Sequence, residues 1–579
     1  MSFKGKEALL SFEFASSTGE IKPLTFQKLL KVIAAYTMED VLPSFQLVQD
    51  AVNSGYYAAG FLSYESAAAF DSAYQIRDGS TMPLLWFGIF EEPELKFLKS
   101  TGSHNLSKWK PNVSLDEYRT SINSIKEFIE NGDTYQINYT IRLHSEFGGD
   151  DSSLFEQMKR GQDSNYCAYI NTGDHSILSA SPELFFHLDG NRITTRPMKG
   201  TIKRGKTYEE DEVNANWLYH SEKNRSENLM IVDLLRNDLG MIAETGSVNV
   251  PKLFEVERYP TVHQMTSTVT ATLTDDTDFV DVFKALFPCG SITGAPKVNT
   301  MKFIADLETI PRDVYCGAIG YITPEKEAIF NVPIRTVVIE QETGKATYGV
   351  GGGITWDSTS QNEYHEILAK SSVLEENRPE FQLLESFLLN EGDYFLMEEH
   401  LHRLKKSAKY FDFQFHLEDI QKTLDDFAEQ NGHGLIKVRF LLDKSGEMTI
   451  EGQQITQSKA PLKVILADEA VDQNNPFLYH KTTNREVYSP FQKKNASEVL
   501  LWNEAGELTE FTTGNVVLEK DGKLWTPPVD CGLLAGTFRE RLIKQNKIHE
   551  KTLYVSDLKR CTKLWFINSI RKWVDVELV

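Results

Sequence analysis

Three carboxylates and a lysine are the first residues whose spacing suggests chemistry. In Asn362-Glu-Tyr-His-Glu-Ile-Leu-Ala-Lys370 a helix places Glu363, Glu366 and Lys370 along one stripe, by steps of three and four residues. A solvated face with one Glu–Lys pair, worth about 0.2–0.5 kcal/mol, explains the same spacing. A second helix candidate, Ser221 to Asp238, carries Glu227 at its entry and Leu229, Val232 and Leu235 on an apolar face. Carboxylates from two helices meeting in a cleft suit Mg²⁺, which prefers oxygen ligands and keeps several waters. Tyr348 to Asp357 then holds four glycines in five residues. Such a run lets backbone N–H groups converge on an anion, and a plain tight turn accounts for it equally. No GKS or GKT follows, so it is not a phosphate-binding Walker loop.

These residues need elements to position them. Ser176–Leu188 and Ala328–Glu340 have the apolar, β-branched character of strands. Leu115–Gly132, Ser221–Leu239 and Asn362–Leu374 carry helical periodicity. Glu146–Ser153, with Gly148, Gly149, Asp150 and Asp151, reads as a loop within one domain. Strands and helices do not alternate regularly, which indicates α+β rather than a doubly wound sheet. Glu375–Glu380 contains Pro379, which stops a helix, and is expected to be the boundary. That gives a front domain over 1–374 and a rear domain over 381–579, each long enough for its own core.

The 579 residues carry a formal charge of −22. A duplex-nucleic-acid binder needs a basic surface, so that class of partner is not expected. No run of about 18 apolar residues is present to span a membrane, and Met1–Phe14 lacks the apolar core of an export signal. The five cysteines, at 167, 289, 316, 531 and 561, include no C-x-x-C pair. A reducing, cytoplasmic compartment fits this usage. An acidic chain that handles an anionic substrate must concentrate a few cations locally or recruit a metal.

Four segments complete the front pattern: Arg196-Pro-Met-Lys-Gly-Thr201, Ile231-Val-Asp-Leu-Leu-Arg-Asn-Asp238, Gly290-Ser-Ile-Thr-Gly-Ala-Pro-Lys297 and Gly351-Gly-Gly-Ile354. In this order, over residues 110–372, they resemble the chorismate-utilising enzymes. That family includes anthranilate synthase component I, isochorismate and salicylate synthases, and aminodeoxychorismate synthase component I. Two positions indicate the branch. Anthranilate and isochorismate synthases carry alanine where this chain has Lys199, whereas aminodeoxychorismate synthases carry a lysine nucleophile. Isochorismate and salicylate synthases carry a lysine base where this chain has Gln136. Taken alone, Lys199 would read as a surface lysine.

The resemblance implies amination of chorismate at C4. Glu183, in Ser181-Pro-Glu-Leu-Phe185, is then the general acid on the C4 hydroxyl and must stay protonated near neutral pH. Lys199 attacks C2 and needs a lowered pKa. Ammonia adds at C4 and expels the lysine. Mg²⁺, held by Glu227 and Glu366 with Glu363 close by, clamps the ring carboxylate. Tyr315, Arg335, Lys370 and the backbone of Gly351 and Gly353 hold the substrate carboxylates, a role that suits the two-pronged arginine fork. Thr201, His263 and Thr293 are pocket residues, with a structural role for His263 weighed equally. Asn224 departs from the acidic residue often found at its position, which questions a water-mediated metal contact. No cysteine lies in the G-x-C-x-G setting of a glutaminase nucleophile. Ammonia is therefore expected from a separate glutamine amidotransferase subunit or from solution.

Behind the boundary, Glu399-His-Leu-His-Arg-Leu404, His480-Lys-Thr-Thr-Asn484, Leu508-Thr-Glu-Phe-Thr-Thr-Gly-Asn-Val516, Leu534-Ala-Gly-Thr-Phe-Arg539 and Phe566-Ile-Asn-Ser-Ile-Arg571 resemble the class IV pyridoxal-phosphate enzymes. The resemblance implies that Lys481 binds pyridoxal 5'-phosphate covalently and later moves protons, and that Glu510 pairs with the pyridine nitrogen. Arg403 holds the phosphate, helped by Gly536 and Thr537 at a helix start. The N-terminal strands look shortened relative to a free-standing member. The expected fold is a chorismate-binding antiparallel-sheet sandwich followed by a smaller class IV α+β domain. The expected activity is bifunctional: 4-amination of chorismate, then elimination of pyruvate to give p-aminobenzoate for folate synthesis. Class IV relatives are commonly dimers, so a homodimer through the rear domain is the expected assembly. Three rivals stand beside this reading. The rear domain could be an amino-acid aminotransferase or a non-catalytic docking module, or the front domain an anthranilate synthase.

Overall fold

The computed structural model describes residues 8–16, 19–372, 374, 378–456, 460–491 and 497–579. Residues 375–377, the start of the expected linker, lie outside the described residues. The chain divides into one unit of Met1–Lys203 and Ala215–Arg378 and another of Arg204–Asn214 and Pro379–Val579. Among the described residues, no helix is long and apolar enough to cross a membrane.

In the first unit, two antiparallel sheets, each of ten strands among the described residues, pack face to face. One inner face offers Leu10, Phe12, Ile170 and Ile177, the other Phe61, Trp86, Ile319 and Ile329, and these form one apolar cluster. Each such side chain contributes roughly 1.5–3 kcal/mol when buried. Helices cover the two outer faces. Leu115–Glu130 and Asp151–Gln162 pack on the first sheet. Met38–Asn53, Glu222–Gly240 and Phe279–Leu286 pack on the second. Helix starts follow local chemistry: Ser114 and Glu117 form a reciprocal capping box, and Ser221 accepts from the Asn224 N–H. Residues 9–15, 21–26, 29–35, 57–62 and 85–90 supply strands to both sheets.

Several sequence expectations are corrected here. Glu146–Ser153 is not a loop: the strand Gln136–Gly149 runs through the glycines, and Asp150 caps the helix Asp151–Gln162 at once. Gly149 has φ +104°, and a Cβ there would lie 2.9 Å from His104 Cα, so the glycine serves close strand contact. The two long strand expectations each contain a break. His175–Ser181 lies in the first sheet and Leu184–Asp189 in the second; Ala328–Asn331 lies in the second and Thr336–Glu340 in the first. Pro182 lacks an N–H for the ladder, and Arg335 takes φ +53°. The two crossings are tied together: the Val332 N–H donates to Glu183 O at 3.1 Å and the Ala180 N–H to Arg335 O at 3.2 Å. The glycine run is not a turn either. It is the end of the strand Lys345–Ile354, paired along ten residues with Ile137–Glu146. Leu229 does not join the buried face of its helix. It is 42% exposed, because that face is centred on Asn228, Ile231, Val232 and Leu235.

The second unit holds a four-stranded antiparallel sheet and an eight-stranded mixed sheet. The helices Met397–Phe411 and Leu417–Asn431 bury Leu401, Leu404, Ile420 and Leu424 against Leu383, Val438 and Phe440 of the smaller sheet. The segment Arg204–Asn214 belongs to this unit. Arg204 pairs with Asp211 at 2.6 Å and donates to Tyr410 O at 2.7 Å, and the Tyr410 hydroxyl donates to Gly205 O at 2.7 Å.

Candidate active sites

The front site gathers where the chain changes sheets. Glu183 follows Pro182 at the first crossing and is 3% exposed. The Ser291 hydroxyl donates to its Oε1 at 2.6 Å. Burial pushes the Glu183 carboxyl up to about 7, against the Ser291 and Met198 hydrogen bonds and the Lys199 charge. Lys199 stands on the strand Met198–Lys203. A Cβ added at Gly353 would overlap Lys199 Nζ and come 2.6 Å from Gln136 Nε2 and 3.0 Å from Asn138 Oδ1. A lysine amine and two side-chain amides therefore converge over Gly353. Burial pulls the half-buried Lys199 amine below its ordinary value; Glu227 opposes that shift and Lys370 adds to it. Gln136 is 1% exposed and neither end of its amide has a hydrogen-bond partner among the described residues. A buried group in that state waits for something polar.

Cationic and hydroxyl groups lie nearby. Arg335, at the second crossing, donates to Gln162 Oε1, and among the described residues no carboxylate pairs with it. Burial draws its guanidinium below the usual range. Tyr315 is buried beneath the Arg142 guanidinium, 5.1 Å from its ring. Lys370 bridges Gly351 O and Glu366 Oε1, both at 2.8 Å. Gly351 pairs with Thr140 in the ladder. Thr293 is fully buried, with its hydroxyl directed to Gly290 O at 3.2 Å, and its carbonyl accepts from the Asn138 N–H at 2.8 Å. His263 is fully buried opposite Ile202. Thr201 is exposed, opposite Gln264.

Among the described residues, no group of three or more His, Cys, Asp or Glu closes on one point as a metal site. The acidic set is still of the right chemistry for Mg²⁺. A Cβ at Gly352 would lie 3.5 Å from Glu363 Oε2 and 3.6 Å from Lys370 Nζ, so the glycine strand faces these groups. Burial raises the Glu363 carboxyl, Ser358 opposes this, and Glu366 adds to it. Burial alone would raise Glu366 as well, but Lys370 and then Lys199 outweigh it. Glu227 acts on Lys199 from the helix Glu222–Gly240. A divalent cation would relieve the Glu363–Glu366 repulsion, and Glu366 would have to release Lys370.

In the second unit Lys481 has no side-chain hydrogen bond among the described residues, and burial, then Arg403, brings its amine down to about 8. Burial pushes the Glu510 carboxyl up to about 8, although the Tyr488 hydroxyl donates to it at 2.8 Å. The Arg485 guanidinium sits 4.2 Å from the Tyr488 ring. Arg403 gives two hydrogen bonds to Glu385, at 2.9 and 2.6 Å, and one to Ala535 O at 3.2 Å. Its Nη2 also lies 3.5 Å from His400 Nδ1, and the remaining guanidinium donors lie beside the Gly536–Thr537 start of the helix Thr537–Lys544. A Cβ at Gly536 would overlap Asn515 Oδ1, so the glycine lets the Asn515 amide pack against the helix start. A half-buried lysine with a lowered pKa, a buried carboxyl and a helix start next to an arginine fit pyridoxal phosphate.

The chorismate binding enzyme family matches residues 93–376, and the amino-transferase class IV family matches 382–579. Aminodeoxychorismate synthase component 1 of Salmonella typhimurium is 42% identical over 264 residues, 46% of this chain and 58% of that protein. Anthranilate synthase component 1 of Methanothermobacter marburgensis is 33% identical over 350 residues, 56% of this chain and 75% of that protein. The chain belongs to the chorismate-binding enzymes. The crystal structure of anthranilate synthase component I from Streptococcus pneumoniae TIGR4 superposes with a TM-score of 0.52 at 25% identity, over 65% of this chain and 94% of that one. This likeness agrees with the two-sheet sandwich. The chain spans 58% of the length of the Salmonella relative.

Four contributors escaped the sequence reading: Ser291 on Glu183, Asn138 beside Lys199, Tyr488 on Glu510, and the Glu385–His400 pair at Arg403. Ser291 and His400 lie inside motifs already singled out, but nothing in a motif says which hydroxyl or imidazole meets which carboxylate.

Proposed function

We propose that this chain converts chorismate and ammonia to 4-amino-4-deoxychorismate in its first unit, and that its second unit eliminates pyruvate to leave p-aminobenzoate. The observation that carries the reading is a lysine with a lowered pKa converging with Gln136 and Asn138 over Gly353, beside a carboxyl held near 7. The likeness to aminodeoxychorismate synthase component 1 supports the 4-amino product over the 2-amino one.

The carboxylates of chorismate would meet Arg335, Lys370 and the Tyr315 hydroxyl. Glu183 gives its proton to the C4 oxygen as Lys199 Nζ bonds to C2, so that water leaves. Ammonia then bonds to C4, the C2–N bond breaks, and Lys199 leaves as the amine. Ser291 keeps the Glu183 oxygen aimed. Glu227, Glu363 and Glu366 would hold Mg²⁺, which supplies positive charge opposite a substrate carboxylate. Ammonia is supplied by a separate glutaminase subunit, as the component 1 name of the relative suggests.

In the second unit, pyridoxal phosphate supplies an electron sink joined to the substrate amine when bound. Arg403, Gly536 and Thr537 would hold its phosphate, and Glu510 its ring nitrogen. Lys481 Nζ, near 8, takes the C4 proton. The enolpyruvate C–O bond breaks as the ring becomes aromatic. The chain works in the cytoplasm, as a homodimer through the second unit. The deciding assay supplies chorismate, ammonium, Mg²⁺ and pyridoxal phosphate. p-Aminobenzoate and pyruvate support the reading. Anthranilate refutes the C4 assignment, and arrest at aminodeoxychorismate refutes the lyase assignment.

A further inference from the structure

His400, in the second unit, has both ring nitrogens engaged. Nδ1 lies 2.7 Å from Glu385 Oε2, and Nε2 lies 3.2 Å from Thr537 Oγ1. Glu385, His400 and Thr537 are each no more than 2% exposed. The charged groups facing the imidazole are Glu385 from the strand Leu383–Asn390, Arg403 from its own helix, and Lys481. The Phe387 ring closes another side at 4.8 Å.

Burial would raise the Glu385 carboxyl, but Arg403 and then His400 outweigh it and hold it at about 2. Nδ1 therefore carries a hydrogen for Glu385, and the state of Nε2 decides what Thr537 can do. With a neutral ring, Nε2 accepts and the single Thr537 hydrogen is used on it. With a charged ring, Nε2–H donates to Oγ1 and the hydroxyl is released to donate elsewhere. Thr537 cannot donate to the imidazole and to an anion at once.

We infer that an anion seated at the start of the helix Thr537–Lys544 binds together with one proton, taken from solvent onto His400 Nε2. The inference rests on the proposed pyridoxal-phosphate site, and it makes His400 a positioning residue that acts through Thr537. Before an anion binds, burial holds the imidazole below its ordinary value, although Glu385 raises it. A phosphate beside Thr537 adds negative charge and gives the second hydrogen a purpose. The linkage has a fixed sign. Binding that takes up a proton weakens as pH rises above the pKa of His400 in the anion-free protein, by up to about tenfold per pH unit.

The test is calorimetry of the full chain at about pH 7.5, in two buffers of different ionisation enthalpy, with pyridoxal phosphate and with pyridoxal, which lacks the phosphate. Attachment to Lys481 is common to both ligands and cancels. The phosphate, with a second pKa near 6, is already mostly dianionic. Pyridoxal phosphate is expected to take up about one proton more than pyridoxal. The difference disappears in His400→Gln, whose amide donates to Thr537 without titrating, and in Thr537→Val. Visible absorbance of the attached cofactor shows that each variant is folded. Equal uptake by the two ligands, or an extra proton that survives in both variants, overturns the inference. If neither ligand attaches to the wild-type chain, the cofactor reading itself fails and the inference falls with it.

Discussion

Replacing Ser291 with alanine removes the hydroxyl that donates to Glu183 Oε1 at 2.6 Å and leaves the rest of the acid's surroundings in place. That hydrogen bond favours the ionised carboxylate, so its loss must raise the pKa. A hydrogen bond to a charged group is worth about 1.5–3 kcal/mol, and one pKa unit is about 1.36 kcal/mol. Glu183, at about 7 in the wild type, should therefore move up by roughly 1–2 units. Kinetic profiles report the Glu183 and Lys199 pair together, so infrared titration of the carboxyl is the cleaner assay. Its band is assigned by its loss in Glu183→Gln. A midpoint raised by about one unit or more supports the assignment of Ser291. A midpoint that stays put or falls would show that Ser291 does not hold the acid and would refute the reasoning.

Glu183→Gln should abolish the first reaction and yet stabilise the chain at alkaline pH. The folded carboxyl is raised from 4.5 to about 7, so its penalty is absent below the unfolded value, grows between the two, and is constant above about 7. Urea unfolding should show a gain on the order of 1–3 kcal/mol at about pH 8 and none at about pH 4; a gain independent of pH would contradict this. Arg335→Met removes a cation that no described carboxylate pairs with, so KM for chorismate should rise roughly 10–150-fold with little loss of stability. An unchanged KM in steady-state assays would remove Arg335 from the substrate site. Glu510→Gln should slow pyruvate release from aminodeoxychorismate roughly 10–150-fold, the loss of one charge-assisted bond. Formation of aminodeoxychorismate from chorismate should be untouched, and equal loss of both activities would count against the division of labour.

Helices were legible because their signals are local. Ser114 with Glu117, and Ser221 before Asn224, mark starts that depend on residues three apart. The strands misled because a ladder is set by distant chain. Pro182 and Arg335 break what reads as continuous β-branched sequence, and those breaks carry the acid and a cation to the site. The glycine run read equally as an anion-binding backbone or a turn because the groups that crowd a Cβ there, Lys199 and Tyr139, lie far away in sequence. Leu229 shows the limit of periodicity: a helix with a polar buried residue, Asn228, turns its apolar face by one position. Ser291 and His400 were invisible as partners because their contacts span 108 and 137 residues.

The central claim, two reactions at two separate sites of one chain, is tested most directly by complementation. Lys199→Ala and Lys481→Ala are each given chorismate, ammonium, Mg²⁺ and pyridoxal phosphate, and are then mixed. The account predicts that Lys199→Ala consumes no chorismate, that Lys481→Ala accumulates aminodeoxychorismate without pyruvate, and that the mixture yields p-aminobenzoate. Release of p-aminobenzoate by Lys481→Ala alone, or none from the mixture, would contradict it.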